Sequence, residues 1–560
     1  MRIKRGQFVL TGLIIMMMTL MMIGCGKASE EKDSKSASSQ QTNNGNDTNE
    51  KETGKKNASG KITDEPVTLT MWSDFNSTNI PNLADNIVYK ELEKRTGVTV
   101  EFTHPPAGES KQAFNLLLAS GDLPDMMENI PPEFPGGPDK AIKDGYFLKL
   151  NDYIDEYAPN YKEKMNYNEE IRRQTMTDEG NIWSFSCIQL DQEPPWSGML
   201  IREDWLNDLG LKVPETIEEW ENMLIAFKEE KGAEGPLMIS FDWKYASNSA
   251  FASAYGSSVL DNNLDFMNKD GEVIYGPAEP GYKDYLQLLA RWYEKGLLDP
   301  DFATRDNKSF DAYFTSGKAG AFSNGYGAVT KYVTAGKEND PDFSIVAAPM
   351  PVVNKGDKVH IRQSNPYVRN YYRVISAKTE YPEIAVQWMD YAYSDEGFLL
   401  YNYGIEGDTY EIVNEEPTFG KTFLPPSLQH ITPTFTDKML NNPNGDFWSI
   451  YDQYKIHVSG NLRNPLSYEL DESVLDAMEI WMEAGDDWVM PPVIMTDDET
   501  REFTSIMSEV ETYAKEMSFK IIMGLEPVDK FDEYMRTLEA LGINQAISIQ
   551  QAALERYLNR

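Results

Sequence analysis

Val67-Thr68-Leu69-Thr70-Met71-Trp72 sets Val, Leu and Met on one face of an extended chain and Thr, Thr and Trp on the other, the period-two pattern of a strand. The elements after it decide the architecture. Asn86 to Thr96 reads as a helix ended by Gly97, Val98 to Phe102 as a second strand, and Lys111 to Ser120 as a second helix. Gly121-Asp122-Leu123-Pro124 then turns the chain into Asp125-Met126-Met127. Strands and helices alternating at this spacing predict βαβ units and a mostly parallel sheet. In such sheets ligands bind beyond the carboxyl ends of the strands, so Trp72 and Asp74, at and just past the end of the first strand, fall where a cleft is expected.

Toward the N-terminus the sequence changes character twice. Arg2, Lys4 and Arg5 precede an apolar run from Phe8 to Ile23, too short for a comfortable transmembrane helix and suited to the h-region of a secretory signal. The run ends in Met22-Ile23-Gly24-Cys25, a small residue directly before a cysteine, which resembles the lipobox of bacterial lipoproteins. That resemblance implies cleavage after Gly24 (signal peptide 1–24), diacylation of Cys25, and anchoring at the extracellular face of the cell membrane. An ordinary cleaved signal with a chance cysteine is the alternative. Residues 25–61 then form a Ser, Asn, Thr, Lys and Glu stretch with almost nothing apolar, expected to be a disordered tether.

At 560 residues the chain exceeds what one hydrophobic core usually supports, so two domains or two lobes are expected. The formal net charge is -38. Such a charge repels phosphate backbones and anionic headgroups, which disfavours nucleic acid as a partner and leaves the lipid as the membrane contact. Beside Cys25 there is only Cys187, in the apolar run Ile182-Trp183-Ser184-Phe185-Ser186-Cys187-Ile188, where a thiol behaves as a small buried hydrophobe.

Further along, Met199-Leu200-Ile201 reads as a short strand, and Thr216 with Glu219 makes a capping box for a helix carrying Trp220, Met223, Leu224 and Phe227 on one face. Asn268 to Tyr275 reads as a hairpin about Asp270-Gly271, and Tyr282 to Glu294 as a helix ended at Gly296. The last 70 or so residues are helical by pattern. Thr496 and Glu499 form a second capping box ahead of a stripe of Phe503, Ile506, Met507, Val510, Ala514, Met517 and Ile521. Pro527 opens a shorter helix closed by Gly542, and a final helix runs from about Gln545 to Tyr557.

Several separate pieces then occur in one order: Leu118-Ala119-Ser120-Gly121-Asp122-Leu123-Pro124-Asp125, Phe147-Leu148-Lys149-Leu150 leading to Tyr157-Ala158-Pro159-Asn160, and Ile201-Arg202-Glu203-Asp204-Trp205-Leu206. They continue with Tyr293-Glu294-Lys295-Gly296-Leu297-Leu298-Asp299-Pro300, Tyr403-Gly404-Ile405-Glu406-Gly407, and Met523-Gly524-Leu525-Glu526-Pro527 with Asp532-Glu533-Tyr534. From about residue 66 onward the chain thus resembles the extracellular solute-binding proteins of family 1, in particular the long lipoprotein branch that serves carbohydrate importers in Gram-positive bacteria. The resemblance implies an α/β, two-lobed periplasmic-binding-protein-like fold (class II-type) with a hinge and an extra C-terminal helical region. It implies a carbohydrate ligand, an oligosaccharide in the first instance, delivered to the permease subunits of an ABC importer by a monomer without a cofactor. Carried onto this chain, lobe 1 is expected at 62–180 plus 317–380 and lobe 2 at 185–316 plus 385–560. One departure is that Lys228-Glu229-Glu230-Lys231-Gly232-Ala233-Glu234-Gly235 lacks the alternating oxygen ligands of the calcium loop that relatives often carry after this helix.

Catalytic and metal-binding motifs are wanting in the same sense. Asp261, Asn263, Asp265 and Glu272 match EF-hand positions, but Phe266 stands where the loop needs glycine. The sequence contains no GxxxxGK[ST], HExxH or GxSxG, and its four histidines are scattered. With 90 acidic residues a glycosidase-type carboxylate pair can always be found and so discriminates nothing. The expectation is a binder and not an enzyme, with peptides or other small organic solutes as the runner-up ligand and a carbohydrate-active enzyme behind both. A sugar cleft needs flat rings for pyranose faces and a few polar groups for hydroxyls. Candidate rings are Trp72, Trp183, Trp196, Trp243, Tyr255 and Tyr326, with Asp74, Asp242, Arg362 and Glu406 as polar partners. For any one ring, core packing is at least as good an explanation.

Overall fold

The computed structural model describes residues 61–560 apart from 76–79, 129–133, 135, 191–194, 240–248, 259–264, 339, 414–423, 425, 429 and 438–471. The expected signal peptide, Cys25 and nearly all of the tether lie outside the described residues.

Strand β1 (Val67–Ser73) pairs in parallel with β2 (Val98–Thr103) and β3 (Met126–Glu128). The crossovers are helix α1 (Ile87–Thr96) and helix α2 (Ser110–Ser120). Asn86 caps the start of α1, and Gly97 ends it in the left-handed conformation, φ 76°, that a side chain resists. The alternation in β1 does what the sequence predicts: Leu69 and Met71 pack with Val88, Tyr89 and Leu92 of α1, while Trp72 packs with Phe114 and Leu118 of α2 on the opposite face. Two more strands complete this sheet, β4 (Phe185–Ile188) at the edge and β10 (Val368–Ile375) antiparallel to both β3 and β4, in the order β2-β1-β3-β10-β4. Helix α3 (Glu169–Thr175) precedes β4.

A second sheet has β5 (Ser197–Arg202) at its centre, antiparallel to β8 (Ala321–Gly325) and to β9 (Ile345–Ala348). Behind it lies a large core built by helix α4 (Ile217–Lys231), helix α5 (Pro280–Glu294) and the helices near the end of the chain. The capping box of Thr216 and Glu219 is present, and α4 runs through Lys231 to Gly232, one turn beyond the Phe227 end read from the sequence. The hairpin of β6 (Phe266–Lys269) and β7 (Glu272–Tyr275) turns at Asp270 and Gly271, φ 56° and 94°. Paired positive φ values are what a tight two-residue hairpin demands.

Helix α6 (Asp395–Tyr403) packs on the first sheet, and helix α7 (Glu472–Met482) on the second. Helix α8 (Asp497–Ile522), helix α9 (Phe531–Leu541) and helix α10 (Ile543–Leu558) come next, and Met507, Val510, Ala514, Met517 and Ile521 of α8 enter the second core together.

The strand pairing redraws the expected lobe boundaries. Residues 321–325 and 345–348, expected in lobe 1, pair with β5 in the second sheet. Conversely β4, and Ala385 to Tyr401, expected in lobe 2, share the first sheet and its core. The chain therefore passes between the sheets at 189–196 and again at 349–367, later than its local pattern suggests, and a third time between α6 and α7. The first two segments touch: Gln189 donates its backbone N–H to the carbonyl of Tyr367 at 2.8 Å, and Trp196 donates its own to Gln363 Oε1 at 2.7 Å.

Candidate functional site

The candidate site lies where strands end. At the second sheet, β8 finishes at Gly325 opposite Ser197, the first residue of β5, so the residues flanking that pair converge. Tyr326 donates its backbone N–H to the carbonyl of Trp196 at 2.9 Å, and a Cβ placed on Gly325 would come 3.5 Å from the Trp196 ring. The indole thus lies against the strand end, at a distance where even a β-carbon on residue 325 would make only ordinary van der Waals contact. Both residues are half-buried, and Tyr326 packs against the core beneath the second sheet.

The crossing segment frames these rings. Gln363 holds the Trp196 backbone, and its neighbour Arg362 is buried and fully engaged. Arg362 Nε donates to the Ala484 carbonyl at 2.8 Å, Nη1 to the Gln363 carbonyl at 3.0 Å, and Nη2 lies 3.1 Å from Asp486 Oδ2. Burial lowers the guanidinium pKa, and the Asp486 carboxylate opposes that shift. Ser364 Oγ also donates to Asp486, at 2.7 Å. Arg362 thus pins the crossing to the second lobe. Sequence reasoning misses Gln363, Ser364 and Asp486, for which the one local signal is the run Gly485-Asp486-Asp487-Trp488.

The other expected residues are distributed differently. Trp72 and Trp183 are brought into one cluster, but it is the core of the first lobe: Trp72 lies 5.6 Å from Phe114, and Trp183 sits between Phe147 at 6.1 Å and Tyr372 at 4.5 Å. Their faces are occupied by protein, Trp72 by α2 and Trp183 by Phe147 and by Tyr372 of β10, and the sheet beside them is mixed, not the mostly parallel one expected, because β10 runs antiparallel to β3 and β4. Asp74 is exposed just past β1, its backbone N–H directed at the Glu128 carbonyl at 3.4 Å. Glu406 is exposed in the turn after α6. Tyr255 is half-buried; burial raises its hydroxyl pKa, and the charges that reach it are Arg291, Asp284 and Glu221, on α4 and α5 rather than at the strand ends. Asp242 and Trp243 lie outside the described residues.

Cys187 is buried, and desolvation pushes its thiol up to about 12 even with Arg369 and Arg373 nearby, so it stays protonated and unreactive. A cavity of about 570 Å³ opens where the lobes meet, between Glu170 and Gln174 of α3, Ser364 and Asn365 of the crossing, and Phe503 of α8. None of the eight described residues among those expected from the sequence lines it. Among the described residues no group of His, Cys, Asp and Glu is placed to hold a metal ion, and no helix is long and apolar enough to cross a membrane.

Residues 77–397 match the family model described as bacterial extracellular solute-binding protein. The chain is 24% identical over 503 residues to the fructooligosaccharide ABC transporter substrate-binding protein FusA of Streptococcus pneumoniae, covering 84% of this chain and 87% of that one. It is 26% identical over 340 residues to lipoprotein LipO of Bacillus subtilis, covering 58% of this chain and 64% of that one. Among solved structures it is similar to alginate-binding protein AlgQ2 without calcium ion, with a TM-score of 0.62, 26% identity, and 89% and 99% of the two chains covered. An extracellular solute-binding protein from Bifidobacterium longum subsp. infantis superposes with a TM-score of 0.71 at 18% identity, again over 89% and 99% of the chains, which speaks to the fold alone. With two α/β lobes joined by chain crossings, and a family match over more than half its length, this chain belongs to the bacterial extracellular solute-binding proteins.

Proposed function

We propose that the protein captures a carbohydrate, an oligosaccharide in the first instance, outside the cell and hands it to the permease subunits of an ABC importer. The observation that carries this reading is the likeness to FusA, named for fructooligosaccharide transport, along most of both chains. Relatives named for polygalacturonan/rhamnogalacturonan and maltodextrin binding support the class of ligand and leave the individual glycan open. The half-buried Trp196 and Tyr326 beside the polar frame of Gln363 and Ser364 suit it, since flat apolar faces with adjoining hydrogen-bonding groups are how proteins hold pyranose rings.

In this reading the chain is a monomer that binds without altering its ligand. Cys25 carries the lipid that keeps it at the membrane, and the acidic body stays clear of the anionic headgroups. The test is a thermal-shift panel of the full chain against mono- and oligosaccharides, where a ligand at 100 times its dissociation constant adds about 2.7 kcal/mol. No shift with any glycan, together with a shift for a peptide, would overturn the ligand class. Release of shorter sugars in excess of the protein would overturn the binding-only role. Equal lipid labelling of the parent and of Cys25→Ser would overturn the anchor.

A further inference from the structure

We propose that the last helix is a working part of the hinge, its final turns clamping the first lobe beside the crossing segments and fixing the axis about which the lobes rotate. Helix α10 starts as second-lobe structure: Ile543 and Ala546 enter that core, and Gln551 accepts from the Val273 N–H at 2.8 Å and donates to the Gly271 carbonyl at 3.1 Å. About one and a half turns beyond Gln551 it grips the other lobe. Arg556 Nε donates to Asp178 Oδ2 at 2.9 Å while Nη1 and Nη2 donate to the two oxygens of Glu499 at 2.9 and 2.6 Å. Glu499 is the capping-box carboxylate of α8, so one guanidinium joins a first-lobe turn to a second-lobe helix start. Arg560, its side chain 2% exposed, places Nη2 2.6 Å from Asp178 Oδ1 and donates from Nη1 to the Met176 carbonyl at 3.0 Å.

The gripped turn is itself rigidly held. Thr177 Oγ1 and Asn181 Nδ2 both donate to Asp139, at 2.6 and 2.8 Å, and Asn151 Nδ2 donates to the Gly180 carbonyl at 3.0 Å. A hydrogen-bonded relay then leads from the helix to the crossings. Tyr557 donates to Glu170, Gln174 Nε2 donates to the same oxygen at 2.9 Å, and Gln174 Oε1 accepts from the N–H of Val368, where β10 begins, at 2.8 Å. The preceding carbonyl, Tyr367, is the one that accepts from Gln189 on the other crossing. Contacts this close to a rotation axis move little when lobes open and close, so the clamp can persist through the motion instead of opposing it. Arginine suits the task, because its forked donors fix direction as well as distance, and partly buried pairs are screened less by salt than exposed ones. Lobes joined only by crossing strands of chain would otherwise move more freely, which is the default for domains with a modest interface.

The clamp is independent of the ligand's identity and can be tested without one. In the full chain carrying Cys25→Ser, the remaining native cysteine, Cys187, is buried, and nitroxide labels at Leu116→Cys and Leu525→Cys, positions 72% and 70% exposed, report the distance between lobes. Pulsed electron–electron resonance on the unliganded protein should give a distance distribution roughly twofold or more broader in Arg556→Ala/Arg560→Ala than in the parent, as expected when a hinge constraint is removed. Asp178→Asn keeps the shape of the turn and removes the shared charge; it should broaden the distribution to a lesser degree, and it carries the test if the double variant does not fold. A folded variant whose distribution superimposes on that of the parent would overturn the proposal.

Discussion

At the scale of single residues, a buried ion pair supports the first lobe from inside. Ser73, Glu128 and Arg373 stand side by side across β1, β3 and β10; Ser73 Oγ donates to Glu128 Oε1 at 2.7 Å and Arg373 Nε lies 3.0 Å from Oε2, all of them buried. Removing one member of a buried ion pair leaves the other charge desolvated without compensation, so Arg373→Met should cost about 3 to 5 kcal/mol in denaturant unfolding. A second carboxylate gives a pH signature. Burial alone would raise the Glu221 carboxyl, but Lys295, Trp292 and Arg291 donate to it and hold it at about 2, below its ordinary 4.5. A carboxyl depressed in the folded state contributes stability that is present above its unfolded pKa and lost as the pH falls through its folded one. The stability advantage of the parent over Glu221→Gln should therefore be full above about pH 4.5 and shrink steadily toward pH 2 in urea titrations across that window. Trp72 belongs at this scale too: with its ring packed on Phe114, Trp72→Ala should destabilise the first lobe by about 3 to 5 kcal/mol, and any loss of binding would stem from that.

Elements show which sequence signals carry through to the fold. Capping boxes at Thr216 and Thr496, left-handed glycines at 97 and 542, and the Asp270-Gly271 turn all form as read, because each is settled by bonds within a few residues. Strand partnership is settled elsewhere. Nothing local in Ala321–Gly325 says that it pairs with β5 and not with β10; the choice depends on which core its apolar residues complete, and Phe322 completes the one with Phe314, Tyr332 and Trp481. The same limit explains the site. Trp72 and Trp196 look alike in sequence, each at a strand end, yet Trp72 is sealed beneath α2 while Trp196 stays half-open beside Tyr326. The packing of α7 on β5 offers an element-scale test. A Cβ on Gly198 would sit 2.4 Å from the Trp481 indole nitrogen, whose N–H points to the Met199 carbonyl at 3.4 Å. Gly198→Ala should push the helix off the sheet at a cost of about 1 to 3 kcal/mol, the range for overpacking, visible as a lower melting temperature and a shift in tryptophan fluorescence.

For the molecule as a whole, the question is what a ligand gains by bringing the lobes together. A ligand shifts an open–closed equilibrium only by its differential affinity for the closed form, so the groups that matter are those whose surface is still open to it. That criterion passes over Trp72 and Trp183, whose faces are already covered, and selects Trp196 and Tyr326, which are half-buried at the carboxyl end of β8 and tied to the crossing through Gln363. If each ring contributes about 1.4 to 2.8 kcal/mol to the closed complex, Trp196→Ala or Tyr326→Ala should raise the dissociation constant for a bound oligosaccharide roughly 10- to 100-fold. Neither truncation should cost as much stability as Trp72→Ala, and each variant is first compared with the parent by melting without ligand. Small-angle scattering then separates affinity from motion. The parent should compact when the glycan is added; the ring variants should reach the same compact form at correspondingly higher concentration, because the backbone hydrogen bonds of Trp196 and Tyr326 and the α10 clamp are retained. A variant of Arg556 and Arg560 should behave in the opposite sense, with a dispersed unliganded form and contacts to the sugar unaltered. Unchanged affinity in both folded ring variants would remove Trp196 and Tyr326 from the site, and a parent that does not compact at saturation would separate binding from lobe closure.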